Sequence, residues 1–122
     1  MYLIDKNNNI TITRGDYLEF PVKLVTGEFP RQSIWELEDN DVALFGLMLP
    51  HQPFEEALLK KTFTKDDEDK DGNLYIKILP EDTLFLKPGL YYYQVKTIYK
   101  TGNEEETHVD TVVQKTRFII VD

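Results

Sequence analysis

The sequence has no cysteine in its 122 residues, and it has a single serine, Ser33. The lack of cysteine excludes disulfide bonds, thiolate zinc sites and a cysteine nucleophile. Its two histidines, His51 and His108, lie far apart and form neither an HxH nor an HExxH pair of metal ligands. Glycine-rich phosphate loops and serine-nucleophile motifs are also missing. We therefore expect a protein that is not an enzyme and that needs no cofactor.

Positive charge and long hydrophobic runs are scarce as well. Lysine and arginine number 14 against 22 acidic residues, which gives a net charge of −8. This balance argues against nucleic-acid binding, which normally uses a basic surface, and against adsorption to an anionic membrane. The longest apolar run, residues 42–49, is much shorter than the ~20 residues of a membrane-spanning helix. The first residues do not resemble a signal peptide, so we expect a soluble protein.

The sequence does contain many short segments in which apolar and polar residues alternate. The clearest is residues 18–24, where Leu18, Phe20 and Val22 share one face. Other strand-like segments are residues 10–13, 42–49, 74–78, 90–99 and 107–121. A chain of this length fits one domain, spanning residues 1–122. About seven strands with frequent turns predict an all-β, antiparallel, immunoglobulin-like sandwich.

Some positions predict departures from regular strands. Pro21 lacks an N–H group, so we expect its strand to lie at a sheet edge or to be bulged there. Gly46 predicts a bulge or a close packing contact, and the faces of the last strand fit a bulge near residues 115–116. Residues 54–63 have helical propensity but lie between strand-like neighbours. We interpret them as a strand, with a short helix as the alternative.

A corner followed by an aromatic strand is predicted in the second half of the chain. Pro88 and Gly89 favour a chain reversal, and Asp82 is expected to form a turn by accepting hydrogen bonds from nearby amides. The spacing is similar to that before a late strand of immunoglobulin-like sandwiches, where a buried tyrosine hydroxyl bonds back to the backbone. Tyr91 is the candidate for that role.

Three aspartates resemble the start of a calcium-binding loop. Asp67, Asp69 and Asp71 have the required spacing and are followed by a glycine. The twelfth loop position, however, is Ile78 instead of a bidentate glutamate, and the residues after the glycine have a strand pattern. We therefore expect a solvated acidic hairpin, with loose binding of a divalent cation as the alternative.

Aromatic residues provide the candidates for an interaction surface. Neighbouring side chains of a strand point to opposite faces, so Tyr91 and Tyr93 are expected on one face and Tyr92 on the other. Most of these rings are expected to fill the core or to cover an interface, for which Tyr92, Trp35 and Phe54 are the candidates. The alternative is a carbohydrate- or ligand-binding module, which requires exposed, coplanar rings beside polar groups.

Four segments carry a family resemblance. They are, in order, ITRGD at residues 12–16, LPHQPFEEALLKKTF at 49–63, LPEDTLFLKPGLYYYQVK at 79–96 and TVVQKTRFIIV at 111–121. Together they resemble small structural proteins of tailed phages and prophages of Gram-positive bacteria, in particular the N-terminal β-sandwich domain of upper baseplate proteins. The resemblance implies a virion component, made in the bacterial cytoplasm, that assembles with itself or with other tail or baseplate proteins, often as an oligomer. It implies no catalytic residue.

Overall fold

The computed structural model describes residues 1–26, 33–100 and 107–122. In that part of the chain the elements are, in order, β1 (Tyr2–Ile4), β2 (Ile10–Thr13), β3 (Leu18–Lys23), β4 (Val25–Thr26), β5 (Ser33–Ile34), β6 (Val42–Met48), β7 (Leu59–Phe63), β8 (Asn73–Ile78), α1 (Pro80–Leu84), β9 (Gly89–Lys100) and β10 (Thr107–Val121). The predicted all-β class is confirmed. Among the described residues, no helix is long and apolar enough to cross a membrane.

Six strands form the larger sheet, in the order β1-β2-β10-β9-β6-β7. All neighbours are antiparallel except β2 and β10, which run parallel. The prediction of a purely antiparallel sandwich is therefore wrong for this sheet. The parallel register sets Phe118 opposite Ile10 and Ile120 opposite Ile12, which brings four buried side chains together. Alternation along one strand predicts its buried face, but it does not predict the direction of the neighbouring strand.

The second sheet pairs β3 with β8 in an antiparallel ladder. Its core-facing residues are all buried: Leu18, Phe20, Val22, Leu74, Ile76 and Ile78. They belong to the same hydrophobic cluster as one face of the larger sheet, which we call the inner face. Tyr93 on β9 lies at the centre of this cluster, with its ring centroid 5.7 Å from that of Phe45 and 6.1 Å from that of Phe118. The predicted alternation of β9 thus holds in the core. β4 and β5 form a separate short ladder.

β3 has a free edge, because in the described part of the chain its sheet contains only β3 and β8. The Leu24 N–H donates to the Gly72 carbonyl at 2.8 Å, on the β8 side. Residues of an antiparallel ladder alternate between pairs that exchange hydrogen bonds and pairs that do not. The backbone groups of Glu19, Pro21 and Lys23 therefore point away from β8. Pro21 lies at an edge, as predicted, and interrupts no ladder bond.

Gly46 permits a close packing contact and does not form a bulge. The pairing of β6 with β7 and β9 continues through Gly46 without a register shift. A Cβ atom at this position would lie 2.5 Å from the ring of Phe54. The glycine therefore makes room for an aromatic ring directly on the sheet.

The segment predicted as one strand, residues 54–63, is divided in two. Phe54–Glu56 forms a single turn of 3₁₀ helix, and the strand is restricted to Leu59–Phe63. The strand prediction is thus wrong for the first part. The physical reason is that the turn holds the Phe54 ring over Gly46, a contact that local propensity does not predict.

β10 is irregular at two places, one of which its sequence predicts. Its register against β9 shifts between Thr111 and Val113, and again between Val113 and Thr116. The second shift agrees with the bulge predicted near residues 115–116. Beyond it, the end of β10 turns Phe118 into the core, where it is fully buried.

Candidate functional site

The corner that precedes β9 is held by two polar side chains. Asp82 Oδ2 accepts a hydrogen bond from the Leu79 N–H at 2.7 Å and lies 2.5 Å from Lys61 Nζ. The Tyr91 hydroxyl donates to the Lys87 carbonyl at 2.5 Å, which is a bond back to the backbone of the kind expected at such a corner. Both polar groups are used in these contacts, so the corner has a structural role.

Two glycines shape the turns at this end of the molecule. Gly89, after Pro88, has φ of +154°, and Gly15 has φ of +86°, conformations that other residues rarely adopt. The Gly15 N–H donates to the Thr83 hydroxyl at 2.8 Å. Because Thr83 is fully buried, this bond fixes the turn between β2 and β3 against α1.

The acidic hairpin uses its carboxylates in local hydrogen bonds. Asp67 accepts from the Thr64 N–H at 3.0 Å and caps the 3₁₀ turn after β7. Asp69 accepts from the N–H groups of Asp71 and Asn73, both at 2.9 Å. Hydrogen bonds, first that of the Asn73 backbone, lower the pKa of Asp69. In the described ranges, no group of three or more histidine, aspartate or glutamate side chains is arranged to hold a metal ion.

Tyr92 and Phe54 lie on the face of the larger sheet that is turned away from the core, which we call the outer face. Tyr92 is half-buried and alternates along β9 with Tyr91 and Tyr93, which are buried. Phe54 lies on this face, with Lys96 Nζ 4.7 Å from its ring centroid. A cationic group thus lies over the Phe54 ring.

Trp35, the third candidate, lies on the inner side of the sheet. It packs against the hydrophobic core, and its ring meets that of Tyr99 edge-on at a centroid distance of 4.8 Å. Tyr99 also stacks on His108 at 5.5 Å and donates its hydroxyl to Asp110 Oδ2 at 2.7 Å. That hydrogen bond is the main reason why the pKa of Tyr99 is raised. The candidate interface rings therefore lie on two different faces and form no single platform.

The outer face carries an apolar row near the far end of β9. Val42, Ile98 and Val109 lie opposite one another on β6, β9 and β10. We call these three residues the outer apolar row. Val109 is 56% exposed, and the other two are half-buried. The next row along the strands consists of Leu44, Lys96 and Thr111. Sequence alternation predicted the strands but did not single out this row, because it is formed only by the register of three strands.

A cleft of about 480 Å³ opens between the free edge of β3 and the inner face of the larger sheet. Its apolar lining consists of Ile4, Phe20, Pro21, Val22, Val112 and Val113. Its polar lining consists of Asn8, Lys23 and Tyr93. Sequence analysis missed this cleft because its lining combines residues of β1 and β3, near one end of the sequence, with residues of β9 and β10, near the other. Its one local signal was the proline, which predicts an unpaired strand edge.

One wall of the cleft is held by hydrogen bonds around a tight turn. The Tyr93 hydroxyl donates to the Asn8 carbonyl at 2.7 Å. Burial, with a smaller contribution from the charge of Asp5, raises the pKa of Tyr93 to about 12. Asp5 in turn accepts from the N–H groups of Asn7 and Asn9 at 2.8 and 3.0 Å. Tyr93 is therefore neutral at physiological pH and fixed in orientation.

Glu68 is a half-buried carboxyl group outside the cleft. Its Oε1 atom accepts from the Leu37 N–H at 2.8 Å, whereas Oε2 is buried and has no hydrogen-bond partner in the described part of the chain. Burial is the main cause of its raised pKa. Its bond to Leu37 ties the segment before β6 to the acidic hairpin, which is a structural role.

Comparisons of the chain with models of protein families, with curated proteins and with solved structures find no match. The resemblance to phage tail proteins, which is carried by the four sequence segments, therefore stays a prediction.

Proposed function

We propose that this chain is a structural domain of a phage or prophage tail, with an immunoglobulin-like sandwich architecture, and that it works by protein–protein assembly. The contacts among the four segments of the resemblance support this proposal. The first segment contacts the third through Gly15 and Thr83, and the second contacts the third through Lys61 and Asp82. The fourth pairs with the third as β10 with β9. A domain that is inherited as one unit is expected to retain the segments that pack against one another.

The observation that carries an assembly function is the outer apolar row. Aliphatic side chains from three neighbouring strands meet there, and Val109 is 56% exposed. Exposed apolar groups that are contiguous and bordered by polar residues are typical of protein interaction sites. Lys96 and Thr111 provide such a polar border in the next row.

The partner that we propose for this row is a second copy of the chain. In a two-fold symmetric contact, the same patch of each copy meets its counterpart. A row made of Val42, Ile98 and Val109 carries no charge, so placing it against itself creates no repulsion. The other candidate function, a carbohydrate platform, has weaker support because Trp35 lies on the opposite side of the sheet from Tyr92 and Phe54.

Sedimentation velocity over a range of protein concentrations tests the assembly function. We expect wild-type protein to self-associate and Val109→Asp to weaken association at least tenfold, because a carboxylate in an apolar contact must lose its hydration. Val121→Asp is the matched control, since Val121 is 40% exposed at the other end of the same strand. Monomeric wild-type protein at all concentrations, or equal effects of the two substitutions, would contradict the proposal.

The tail assignment has a separate test. Phage particles are induced from a host that carries the gene, purified by density gradient and analysed by quantitative mass spectrometry. We expect the protein to copurify with tail proteins at a fixed ratio. Its absence from purified particles, in a culture that expresses it, would refute the virion location while leaving self-association intact.

A further inference from the structure

We propose that the cleft beside β3 binds an anionic amphiphile, namely a carboxylate with an unbranched apolar tail. This binding function is independent of the proposed tail assembly. Small-molecule sites in proteins typically have volumes of ~300–1,000 Å³ and combine apolar walls with a few polar groups. The cleft has a volume of about 480 Å³ and a lining of that mixed kind.

The apolar part of the cleft is built by the bulge in β10. Successive side chains of a regular strand point to opposite faces. Here Val112 and Val113 both line the cleft, where the register shifts after Thr111. Phe20 and Val22 of β3, which are both buried, also line the cleft. The bulge thus opens an apolar slot between the two sheets that suits a hydrocarbon chain.

The polar part of the cleft favours a negative head group. Lys23 is an exposed, positively charged residue of the cleft lining, and by the alternation of the ladder its backbone N–H points away from β8, towards the free edge. None of the described lining residues is acidic, although the chain carries a net charge of −8. Asp5 is the carboxylate near Tyr93, and it is already bonded to the amides of its own turn. A carboxylate at Lys23 would therefore meet a positive charge and an N–H donor.

A small molecule fits this cleft better than an added β-strand does. Pro21 lies in the middle of the free edge and has no N–H to offer to an incoming strand. Glu19 and Lys23, on either side of it, place opposite charges along the same edge. Natural proteins use such residues to prevent edge pairing. Neither the proline nor the two charged residues prevents a small molecule from entering the apolar slot next to the edge.

Titration of ¹⁵N-labelled protein with decanoate, below its micelle concentration, tests the proposal by NMR. We expect saturable shifts confined to the amides of β3, the β10 bulge and the turn around Asn8. Shortening the ligand should weaken binding by about fourfold for each methylene removed. Shifts that do not saturate, or that centre on the outer face, would overturn the proposal, as would equal affinities of hexanoate and decanoate.

Two matched pairs of variants test separately the part of the cleft that would hold the hydrocarbon chain and the part that would hold the carboxylate. Val112→Phe fills the slot and should abolish decanoate binding, while Val109→Phe, on the same strand but outside the cleft, should leave it unchanged. Lys23→Gln should weaken decanoate binding by about fivefold but not that of decanol. Lys77→Gln, an exposed lysine of the same small sheet, is its control. If Val112→Phe binds decanoate like the wild type, the site is refuted; if Lys23→Gln and Lys77→Gln bind it equally, the carboxylate assignment is refuted.

Discussion

The inner and outer faces of the larger sheet differ sharply, although the same strands form both. On β9, Tyr91, Tyr93 and Val95 of the inner face are at most 5% exposed, whereas Tyr92 and Lys96 of the outer face are half-buried. The three tyrosines in sequence are therefore not equivalent. We infer that the inner face supplies most of the stability of the fold and that the outer face is available for contacts with other molecules.

The largest expected difference between the faces is at two neighbouring residues of β6. Phe45 is fully buried against Tyr93 and Phe118, so Phe45→Ala should lower the free energy of unfolding by about 3–5 kcal/mol. Leu44 is half-buried on the outer face, and Leu44→Ala should cost less than about 1.5 kcal/mol. Urea unfolding at low protein concentration measures both. Equal losses would show that the outer face is also part of the core.

A second prediction concerns a closely packed place on the outer face, at Gly46. Gly46→Ala should destabilise the protein by about 1–3 kcal/mol, because the new methyl group would overlap the Phe54 ring. Phe54→Ala removes that ring, so Gly46→Ala in this background should be nearly neutral. The double-mutant cycle is measured by urea unfolding. If Gly46→Ala costs the same with and without Phe54, the ring is not what requires a glycine.

The buried polar contact at the corner should rank next. Thr83→Val keeps the shape of the side chain but removes the acceptor of the Gly15 N–H, which should cost about 1–3 kcal/mol. Thr83→Ser retains the hydroxyl and should retain the bond. Amide hydrogen exchange at Gly15 reports on the contact directly. Unchanged protection of Gly15 in the valine variant would show that this bond does not hold the turn.

The smallest effect is expected from removing single hydroxyl groups on the two faces. Tyr93→Phe loses the bond to the Asn8 carbonyl and should cost about 1 kcal/mol at neutral pH, while Tyr92→Phe should be neutral. The pKa of Tyr93 is raised on folding from 10.0 to about 12. Its contribution to stability is therefore fully present below pH 10 and is lost as the pH rises towards about 12.

Chemical denaturation between pH 9 and 12 measures this difference. The stability of the wild type should fall more steeply than that of Tyr93→Phe, and Tyr92→Phe should follow the wild type. Identical slopes for the wild type and Tyr93→Phe would show that the Tyr93 hydroxyl has the same environment in the folded and unfolded chains.

The sequence predicted those features that depend on neighbouring residues. The period-two alternation around Phe20 and Tyr93 identified strands and their buried faces, and Pro21 identified a sheet edge. The sequence did not predict the parallel pairing of β2 with β10, because alternation carries no information about strand direction. For residues 54–63 a strand was preferred to a short helix, because the 3₁₀ turn at Phe54 depends on the space above Gly46 of β6, which local propensity does not show.

The candidate sites were harder to predict than the fold. The outer apolar row requires the register of three strands, and the cleft requires β1 and β3 to meet β9 and β10 from the other half of the sequence. Tyr92, Phe54 and Trp35 were named together as candidate interface rings, because no local pattern gave the side of the sheet on which Phe54 or Trp35 lies. The three aspartates of the hairpin matched a ligand spacing, although the structure uses Asp67 and Asp69 to bond the backbone of their own turns.

Methyl NMR of the wild-type protein, recorded from low to high concentration, tests most directly whether the outer face mediates assembly. We predict concentration-dependent shifts for the methyl groups of Val42, Leu44, Ile98 and Val109, with those of Val95 on the inner face unchanged. Spectra that do not depend on concentration, or shifts that spread equally over both faces, would contradict this division between the inner and outer faces.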